Sequence, residues 1–242
     1  LYLIRPSAAL LDQFVRAAMG RDGPPVHVFA AEPALKAICD HFPSAARAAE
    51  LVETDRLTLM TTVPEGWGSA VVTDETAYSF IRVAGDELVL EATAVPDGVR
   101  ETCAAVHDSA EAFDLRAPAW ATVTETFAET FSSAAKDEFE TAMEALDGLA
   151  APAITEVETV LLVAAADELL FYHLTRWAED VQLCSIATLS RGKNRLADLG
   201  VVTTEKVPIE MGRPRQRLLL TEAYTDHSLP ELLQEVDSLQ QT

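Results

Sequence analysis

The stretch WAEDVQLCSIATLSRGKNRLADLGVV, residues 177–202, decides the fold of the second half of the chain. Its apolar residues follow a helical spacing on both sides of a short turn at 182–185, and Ser185 stands where a helix N-cap is expected. The second helix ends at Gly200, a residue suited to left-handed helix termination. Two helices joined by about four residues, with a further predicted helix before them, indicate a helix-turn-helix. The leucines on one face of the second helix are Leu189, Leu196 and Leu199.

A β-hairpin is predicted directly after this motif. Residues 201–209 and 215–220 are rich in strand-forming side chains and flank a turn at Met211-Gly212-Arg213-Pro214. A hairpin in this position is typical of the wing of a winged helix-turn-helix. We therefore expect residues 151–242 to form such a domain, beginning with a helix over 154–170.

The predicted motif and wing are basic in a chain that is otherwise acidic. Residues 185–220 contain seven basic and three acidic residues, a net charge of +4, whereas the remaining residues carry −25 and the whole chain −21. Solubility alone does not explain a basic segment that coincides with the two elements that would contact DNA. We interpret the segment as a DNA-binding surface. The alternative is a winged helix that contacts only other proteins, in which the arginines merely solvate the hairpin.

The expected helix and wing predict individual DNA contacts. Thr188, Arg191 and Arg195 recur at spacings of three and four, so they can enter a major groove together. Ser185 can contact a phosphate at the helix N-terminus, and Arg213 at the wing tip can reach a minor groove. The predicted DNA-binding residues are Ser185, Thr188, Arg191, Lys193, Arg195, Lys206, Arg213, Arg215 and Arg217.

Two residues of the second helix differ from a typical recognition helix. Gly192 costs about 1 kcal/mol relative to alanine inside a helix. Lys193 stands where such helices often carry an apolar residue. A lysine stem can cover apolar surface while its ammonium group reaches solvent, so the helix prediction stands.

The first half of the chain alternates strands and helices. Two strand–helix steps are followed by short strands separated by tight turns, and a helix closes the unit. This order predicts an α/β domain over 1–116, with a mixed sheet flanked by helices. The predicted strands are 1–4, 26–30, 57–61, 69–73, 77–83 and 87–92, and the predicted helices begin after Pro6-Ser7, begin at Glu32-Pro33, and cover 45–52 and 97–112.

Residues 117–150 carry apolar stripes on acidic segments that lack strand-forming patterns, so they predict a helical connector between the domains. The stripes either pack on the N-terminal domain or form a helical dimer contact, and their spacing contains no sustained heptad. The turn-forming pairs Asp147-Gly148 and Ala151-Pro152 favour a domain boundary near 150. The stripes comprise Val123, Phe127, Phe131, Phe139, Met143 and Leu146.

Composition and motifs exclude several classes of protein. The longest uninterrupted apolar run, 160–166, is far shorter than the roughly 18–20 residues that cross a bilayer, so no membrane contact is expected. The first half has no Gly-x-Gly-x-x-Gly, P-loop or Gly-x-Ser-x-Gly motif, so we expect neither an enzyme nor a cofactor. The chain has no Asp-x-Asp-x-Asp loop and no His or Cys pair at the spacing of metal ligands, so we expect no metal site. Cys39, Cys103 and Cys184 lie far apart and fit reduced, mostly buried thiols.

The acidic residues are spread along the chain, and only four of its 18 basic residues are lysines. Such a composition in a chain with a strong apolar pattern favours a globular protein dissolved at high salt, and we expect a cytoplasmic protein of a halophile. The chain begins inside a predicted strand with no charged leader or cleavage site. We therefore expect no secretory signal and some residues before Leu1.

In the predicted helix-turn-helix and wing, the sequence resembles the TbsP family, the TrmB-suppressor type of haloarchaeal transcriptional regulators. The segments WAEDVQLCSIATLSRGKNRLADLG and TEKVPIEMGRPRQRLLL carry the likeness, and RPSAALLDQFVRAA, AEPALKAI and SAARAAELVETDRLTL extend it more loosely over the first half. The resemblance implies a DNA-binding regulator of metabolic genes with a C-terminal winged helix and a regulatory N-terminal domain.

The first half also looks loosely like the phospholipase-D-like sensor domains of TrmB-type sugar regulators. The enzymes of that fold need a His-x-Lys motif, and none of the five histidines is followed two residues later by lysine. The sequence as a whole predicts a transcription factor that binds double-stranded promoter DNA as a homodimer reading two half-sites. Its two-domain layout leaves room for a small-molecule effector that repositions the recognition helices.

Overall fold

The computed structural model describes residues 1–62, 65–82, 88–210 and 213–241. The chain forms two compact units, Leu1–Trp120 and Ala121–Thr242. The predicted fold class is confirmed, because the first unit is a mixed sheet flanked by helices and the second contains a helix-turn-helix followed by a β-hairpin.

The first unit begins with two strand–helix steps. Its elements are β1 (Tyr2–Ile4), α1 (Ala8–Ala18), β2 (Val26–Phe29), α2 (Glu32–Cys39), α3 (Phe42–Glu53), β3 (Leu57–Met60), β4 (Ala70–Val72), β5 (Thr76–Arg82), β6 (Leu88–Ala94) and α4 (Val99–Ser109). From the boundary onward follow α5 (Trp120–Thr130), α6 (Ser133–Asp147), α7 (Glu156–Ala166), α8 (Phe171–Asp180), α9 (Ile186–Asp198), β7 (Val202–Val207), β8 (Arg215–Leu220) and α10 (Leu229–Gln240).

The sheet of the first unit has the strand order β3-β2-β1-β4-β5-β6. The first three strands pair in parallel because helices connect them, whereas β4, β5 and β6 pair antiparallel across short turns. Successive residues of a strand point to opposite faces. Leu3 and Val28 therefore pack into a core with α1, α2 and α3, while Ile4 and Phe29 pack on the other face with Cys103 of α4. Helices thus cover both faces of the central strands.

Helix starts follow local capping chemistry. The Ser7 hydroxyl oxygen accepts a hydrogen bond from Leu10 N at 3.1 Å, so the N-cap predicted after Pro6 is confirmed. The helix predicted over 45–52 begins earlier, at Phe42, because Pro43 occupies its first turn, where a missing amide hydrogen has no cost.

The apolar stripes of α5 and α6 fill the interior of the second unit. Val123, Phe127 and Phe139 are fully buried, and the ring of Trp177 from α8 lies 4.8 Å from that of Phe127. Helix α6 packs along α7 and α10. The sequence left two partners open for these stripes, the N-terminal domain and a second copy. The structure places them inside the second unit instead, because the helices that follow present matching apolar faces.

Helix α10 has no counterpart in the sequence prediction. At its start the Ser228 amide and hydroxyl both donate hydrogen bonds to Glu231 Oε2, and Leu232, Leu233 and Val236 bury its inner face. The motif Ser-Leu-Pro-Glu, with proline in the first turn, is the pattern that could have predicted this helix.

The three thiols are free, as expected, but Cys39 is exposed, so the prediction of mostly buried thiols is wrong for this residue. Burial raises the pKa of the Cys103 and Cys184 thiols to about 11. No helix among the described residues is long and apolar enough to cross a membrane. Parts of the predicted turns, at Pro64, Gly85-Asp86 and Met211-Gly212, lie outside the described residues, as do the predicted strand ends Val83 and Glu87.

Candidate nucleic-acid interface

Helices α8 and α9 form the predicted helix-turn-helix. Gln182 in the turn adopts a left-handed conformation, with φ of 59°. The Ser185 hydroxyl oxygen accepts a hydrogen bond from Thr188 N at 3.2 Å, which confirms Ser185 as the N-cap of α9. Gly200 has φ of 74° and terminates the helix as predicted. The motif is therefore fixed at its turn and at both ends of its second helix.

The inner side of α9 explains why it contains a glycine. Leu189 and Leu196 are fully buried, and Gly192 faces α7. A Cβ atom at Gly192 would lie 3.0 Å from Leu161 Cδ1 and 3.5 Å from Val157 Cγ1. Glycine thus permits the close approach of α9 to α7, where a Cβ atom would require Leu161 to shift, and position 192 faces α7.

Lys193 ties α9 to the hairpin and to α8. Its ammonium nitrogen donates a hydrogen bond to Gln216 Oε1 at 3.2 Å and lies 5.1 Å from the centre of the Phe171 ring. The sequence predicts an ammonium group that reaches solvent, but here it is bound within the protein. Lys193 therefore positions the hairpin against α9.

Arg195 is also bound within the domain. Its guanidinium lies 3.3 Å from Glu158 Oε1, and the Glu158 side chain is only 2% exposed. The other carboxylate oxygen of Glu158 accepts hydrogen bonds from the amide and hydroxyl of Thr155, each at 3.0 Å, in the capping box of α7. One buried carboxylate therefore caps α7 and binds Arg195 of α9.

The outer face of α9 contains Arg191 and two residues that the sequence analysis missed. Arg191 is exposed, and its guanidinium donates one hydrogen bond to Thr188 Oγ1 at 3.1 Å, which leaves its other donors available. Ala187 and Asn194 are exposed on the side opposite Leu189. At about 100° per residue, their spacing from Leu189 places them across the helix, so a full helical projection would have found them.

The basic residues of the hairpin differ in their contacts. Arg217 lies between Glu168 and Glu205, at 3.6 and 3.8 Å, and the Arg215 guanidinium stacks on the Tyr172 ring at 3.3 Å. The remaining two are exposed, and no described residue forms an ion pair with either of them: Lys206 and Arg213.

A cleft of about 670 Å³ lies between α8, the first turn of α9 and the hairpin. Arg176, Arg213 and Arg215 line it together with the exposed apolar side chains of Ile186 and Ile209. Arg176 lies outside the basic segment 185–220 and was missed for that reason. The lining also contains one carboxylate, Glu179. Three guanidinium groups against one carboxylate leave the lining net positive, which suits a sugar–phosphate backbone.

The predicted site residues thus fall into three groups. Ser185 and Thr188 form the start of α9, while Arg191, Lys206 and Arg213 are exposed outward. The cations that bind a residue of another helix or strand are Lys193, Arg195, Arg215 and Arg217, whereas Arg191 bonds only to Thr188 of its own helix among the described residues.

Comparison with protein-family models accounts for nearly the whole chain. Residues 1–118 match the model described as transcriptional regulator TbsP-like, N-terminal, and residues 119–237 match transcriptional regulator TbsP-like, C-terminal HTH domain. The chain belongs to the TbsP-like family of transcriptional regulators. The resemblance read from the wing and the α8–α9 segment is confirmed, and the HTH domain named for the family contains both. No curated protein and no solved structure is significantly similar to the chain.

Proposed function

We propose that this TbsP-like regulator controls metabolic genes by placing α9 in the major groove of promoter DNA while the hairpin contacts the flanking backbone. The observation that carries the proposal is the position of Ile186, because the first turn of α9 lines the same arginine-bearing cleft as Arg213 of the hairpin. A DNA backbone seated in this cleft would leave the exposed face of α9 next to the base edges.

The exposed residues divide the work of recognition. Arg191 and Asn194 are suited to base readout, because arginine pairs with guanine and asparagine with adenine in the major groove. Arg176 and Lys206 are suited to phosphate contacts, which set orientation rather than sequence preference. Arg213 beside the hairpin turn is suited to a minor groove, whose shape depends on sequence. Lys193, Arg195 and Arg217 act as positioning residues, since each holds α9 or the hairpin through contacts inside the domain.

The protein would act as a homodimer that reads two half-sites, with the first unit as the regulatory part. Helix-turn-helix proteins commonly bind paired half-sites about one helical turn apart, which requires two recognition helices. An effector that binds the first unit would change the spacing of those helices. DNA affinity that stays identical across a metabolite panel would contradict the effector.

The net charge of the chain favours a cytoplasm of high salt concentration. A net charge of −21 favours a cytoplasm rich in salt, as in haloarchaea. Phosphate contacts weaken steeply with salt, so contacts that survive there must rest mainly on base edges and shape. The proposal involves no catalytic step, cofactor or metal.

Selection from fragmented genomic DNA at the working salt of the source organism tests the function. The full chain is compared with Arg191→Ala and Arg213→Ala, and Arg116→Ala is the matched control because Arg116 is exposed in the first unit. We expect the native chain and the control to enrich a few promoters and the two variants to lose that enrichment. Absence of enrichment by the native chain would overturn the proposal and favour a winged helix that contacts only proteins.

A further inference from the structure

The two edges of the sheet in the first unit are finished differently. The segment 111–113, which follows α4, lies along β3: Thr61 N donates to Glu111 O at 3.1 Å, and Phe113 N donates to Leu59 O at 2.8 Å. Strand β6 forms the other edge, and β5 is its only strand partner among the described residues. The chain itself therefore covers one edge, whereas the part of the chain that the structure describes adds no strand to the other, which we call the open edge.

The register of β5 and β6 shows which backbone groups of this edge point away from β5. Val95 N donates to Glu75 O at 3.1 Å, and the ladder continues from that pair through Thr76–Ala94 and Ala77–Thr93. Hydrogen-bonded and non-bonded pairs alternate in an antiparallel ladder, so Glu91 and Thr93 bond to β5. The amide and carbonyl groups of Ala92 and Ala94 point away from β5, and both residues are exposed. The Ala94 carbonyl accepts a local hydrogen bond from Thr93 Oγ1 at 3.2 Å.

The sequence of β6 gives this edge little protection. The strand LVLEATA contains one charged residue, Glu91, and no lysine or proline, although charged residues make up 24% of the chain. Its ladder with β5 runs from Arg82–Leu88 to Thr76–Ala94 without a bulge. Proteins protect open edges with lysine, proline, bulges or covering segments, and an edge without them is a template for another strand.

We propose that β6 of one copy pairs antiparallel with β6 of a second copy, which joins two sheets into one and forms the homodimer. An edge strand can pair with its own copy about a two-fold axis, and the contact is then self-complementary. When the axis passes through Ala92, Glu91 lies opposite Thr93 of the other copy, so the two carboxylates do not face each other. The inference rests on the proposed function only for the role of the dimer in reading two half-sites.

The other surface that the sequence offered for a dimer is occupied. The apolar stripes of α5 and α6 lie inside the second unit, where Phe127, Phe139 and Met143 are fully buried. A strand from an unrelated protein would leave each recognition helix single. A second copy supplies the paired helices that two half-sites require.

Sedimentation equilibrium of the full chain tests the interface with the variant Ala92→Pro. Proline removes the outward amide hydrogen of residue 92 and leaves the bonds to β5 in place, which is why edge strands tolerate it. We expect the native chain to sediment at twice its mass of 26.2 kDa. Ala92→Pro should weaken dimerisation at least about tenfold, which is a clear change in Kd. Ala92→Ser, which keeps the amide hydrogen, is the matched control and should dimerise like the native chain.

A monomeric native chain, or an Ala92→Pro variant that dimerises as tightly as the native chain, would overturn the interface. Circular dichroism shows whether the variant folds. If it does not, hydrogen exchange of the native chain decides instead, because the outward amides of Ala92 and Ala94 should become protected as the dimer forms, whereas those of Glu91 and Thr93 already bond to β5. If the exchange rates of the outward amides do not change between protein concentrations below and above the dimer Kd, the interface is overturned.

The interface and the proposed function fail separately. A native chain that dimerises but enriches no promoter would overturn the function and leave the interface. A monomeric chain that enriches promoters would overturn the interface and the homodimer, and would leave the proposed binding of α9 to promoter DNA. The folded Ala92→Pro variant should still bind a duplex that contains one half-site.

Discussion

Gly192 is a residue whose helix propensity and packing oppose each other. Alanine usually stabilises a helix interior by about 1 kcal/mol over glycine. Here its Cβ would lie 3.0 Å from Leu161 Cδ1, and Leu161 is fully buried and has little room to move. Overpacking costs about 1–3 kcal/mol, so we expect Gly192→Ala to lower the free energy of unfolding by roughly 1 kcal/mol in urea denaturation.

A second background isolates the cause of that loss. In Leu161→Ala protein the cavity left by the leucine can accept the new methyl group, so Gly192→Ala should be less costly there or even stabilising. Equal losses in the native and Leu161→Ala backgrounds would contradict the clash.

Arg191 and Arg195 should separate stability from binding. Arg195→Ala leaves the buried Glu158 carboxylate without its cation, so the free energy of unfolding should fall by roughly 1–3 kcal/mol. Arg191→Ala should change it by less than about 0.5 kcal/mol. Loss of a base contact costs about 1–3 kcal/mol, so Arg191→Ala should weaken promoter binding roughly 5- to 150-fold.

Urea denaturation and fluorescence anisotropy on an enriched promoter measure the two effects. Arg116→Ala serves as the control for both. Unchanged stability of Arg195→Ala would show that the ion pair to Glu158 does not hold α9. The spacing of the two arginines predicted one shared face, but it could not reveal that Glu158 of another helix binds only one of them.

At the scale of elements, the lysines of α9 and β7 should differ in salt dependence. Lys206 is exposed on the hairpin, so Lys206→Gln should lower the slope of log affinity against log salt by about one. Lys193 binds Gln216 and covers Phe171, so Lys193→Met should leave the slope unchanged. Anisotropy titrations over a salt series measure both slopes. Equal slope changes in the two variants would place Lys193 on the DNA.

Helix α6 contains a carboxylate whose environment opposes its charge. Burial, followed by the nearby Asp167, raises the pKa of Glu138 above its ordinary value of 4.5. A carboxyl group with a raised pKa costs stability once it ionises, so the cost appears as pH rises through 4.5 and remains at pH 7. We expect Glu138→Gln to raise Tm at pH 7 and the gain to vanish below pH 4.5.

Thermal unfolding at pH 7 and below pH 4.5 measures the change in Tm. Glu144→Gln, on the exposed side of the same helix, is the control. A gain that is equal at both pH values would show that charge is not its cause.

The sequence predicted elements better than it predicted what each element packs against. Period and capping were sufficient for β1, α1 and α9, because Ser7 and Ser185 act locally. The stripes of α5 and α6 were recognised, but their partners were not, since α7 and α10 meet them only in the folded unit. Arg176 was missed because charge was counted along the chain, whereas the cleft collects residues from three elements.

At the scale of the whole molecule, turn-forming residues favoured a division near 150, whereas the compact units divide between Trp120 and Ala121. The difference arises because a turn in the sequence does not show which side the preceding helices pack on. Helix α6 packs on α7 and α10, so it belongs with the helix-turn-helix. This division defines the fragment that should fold without the first unit.

The fragment 121–242 should bind DNA but lose the advantage of two linked half-sites. It contains the complete helix-turn-helix and hairpin within one compact unit, so its affinity for a single half-site should match that of the full chain within about threefold. Linked modules gain about 10²–10⁴ in overall affinity when both sites can be filled at once. The fragment should therefore bind a duplex with two half-sites at least about 100-fold more weakly than the full chain does.

Anisotropy titrations with one-site and two-site duplexes measure this difference. The full-length Ala92→Pro variant is the matched control, since it keeps both units and should lose the same advantage as the fragment. A fragment that binds the two-site duplex as tightly as the full chain would place the dimer contact in the second unit. In that case the open edge of β6 would have no part in DNA binding, because the fragment lacks β6 and would still bind the two-site duplex with the affinity of the full chain.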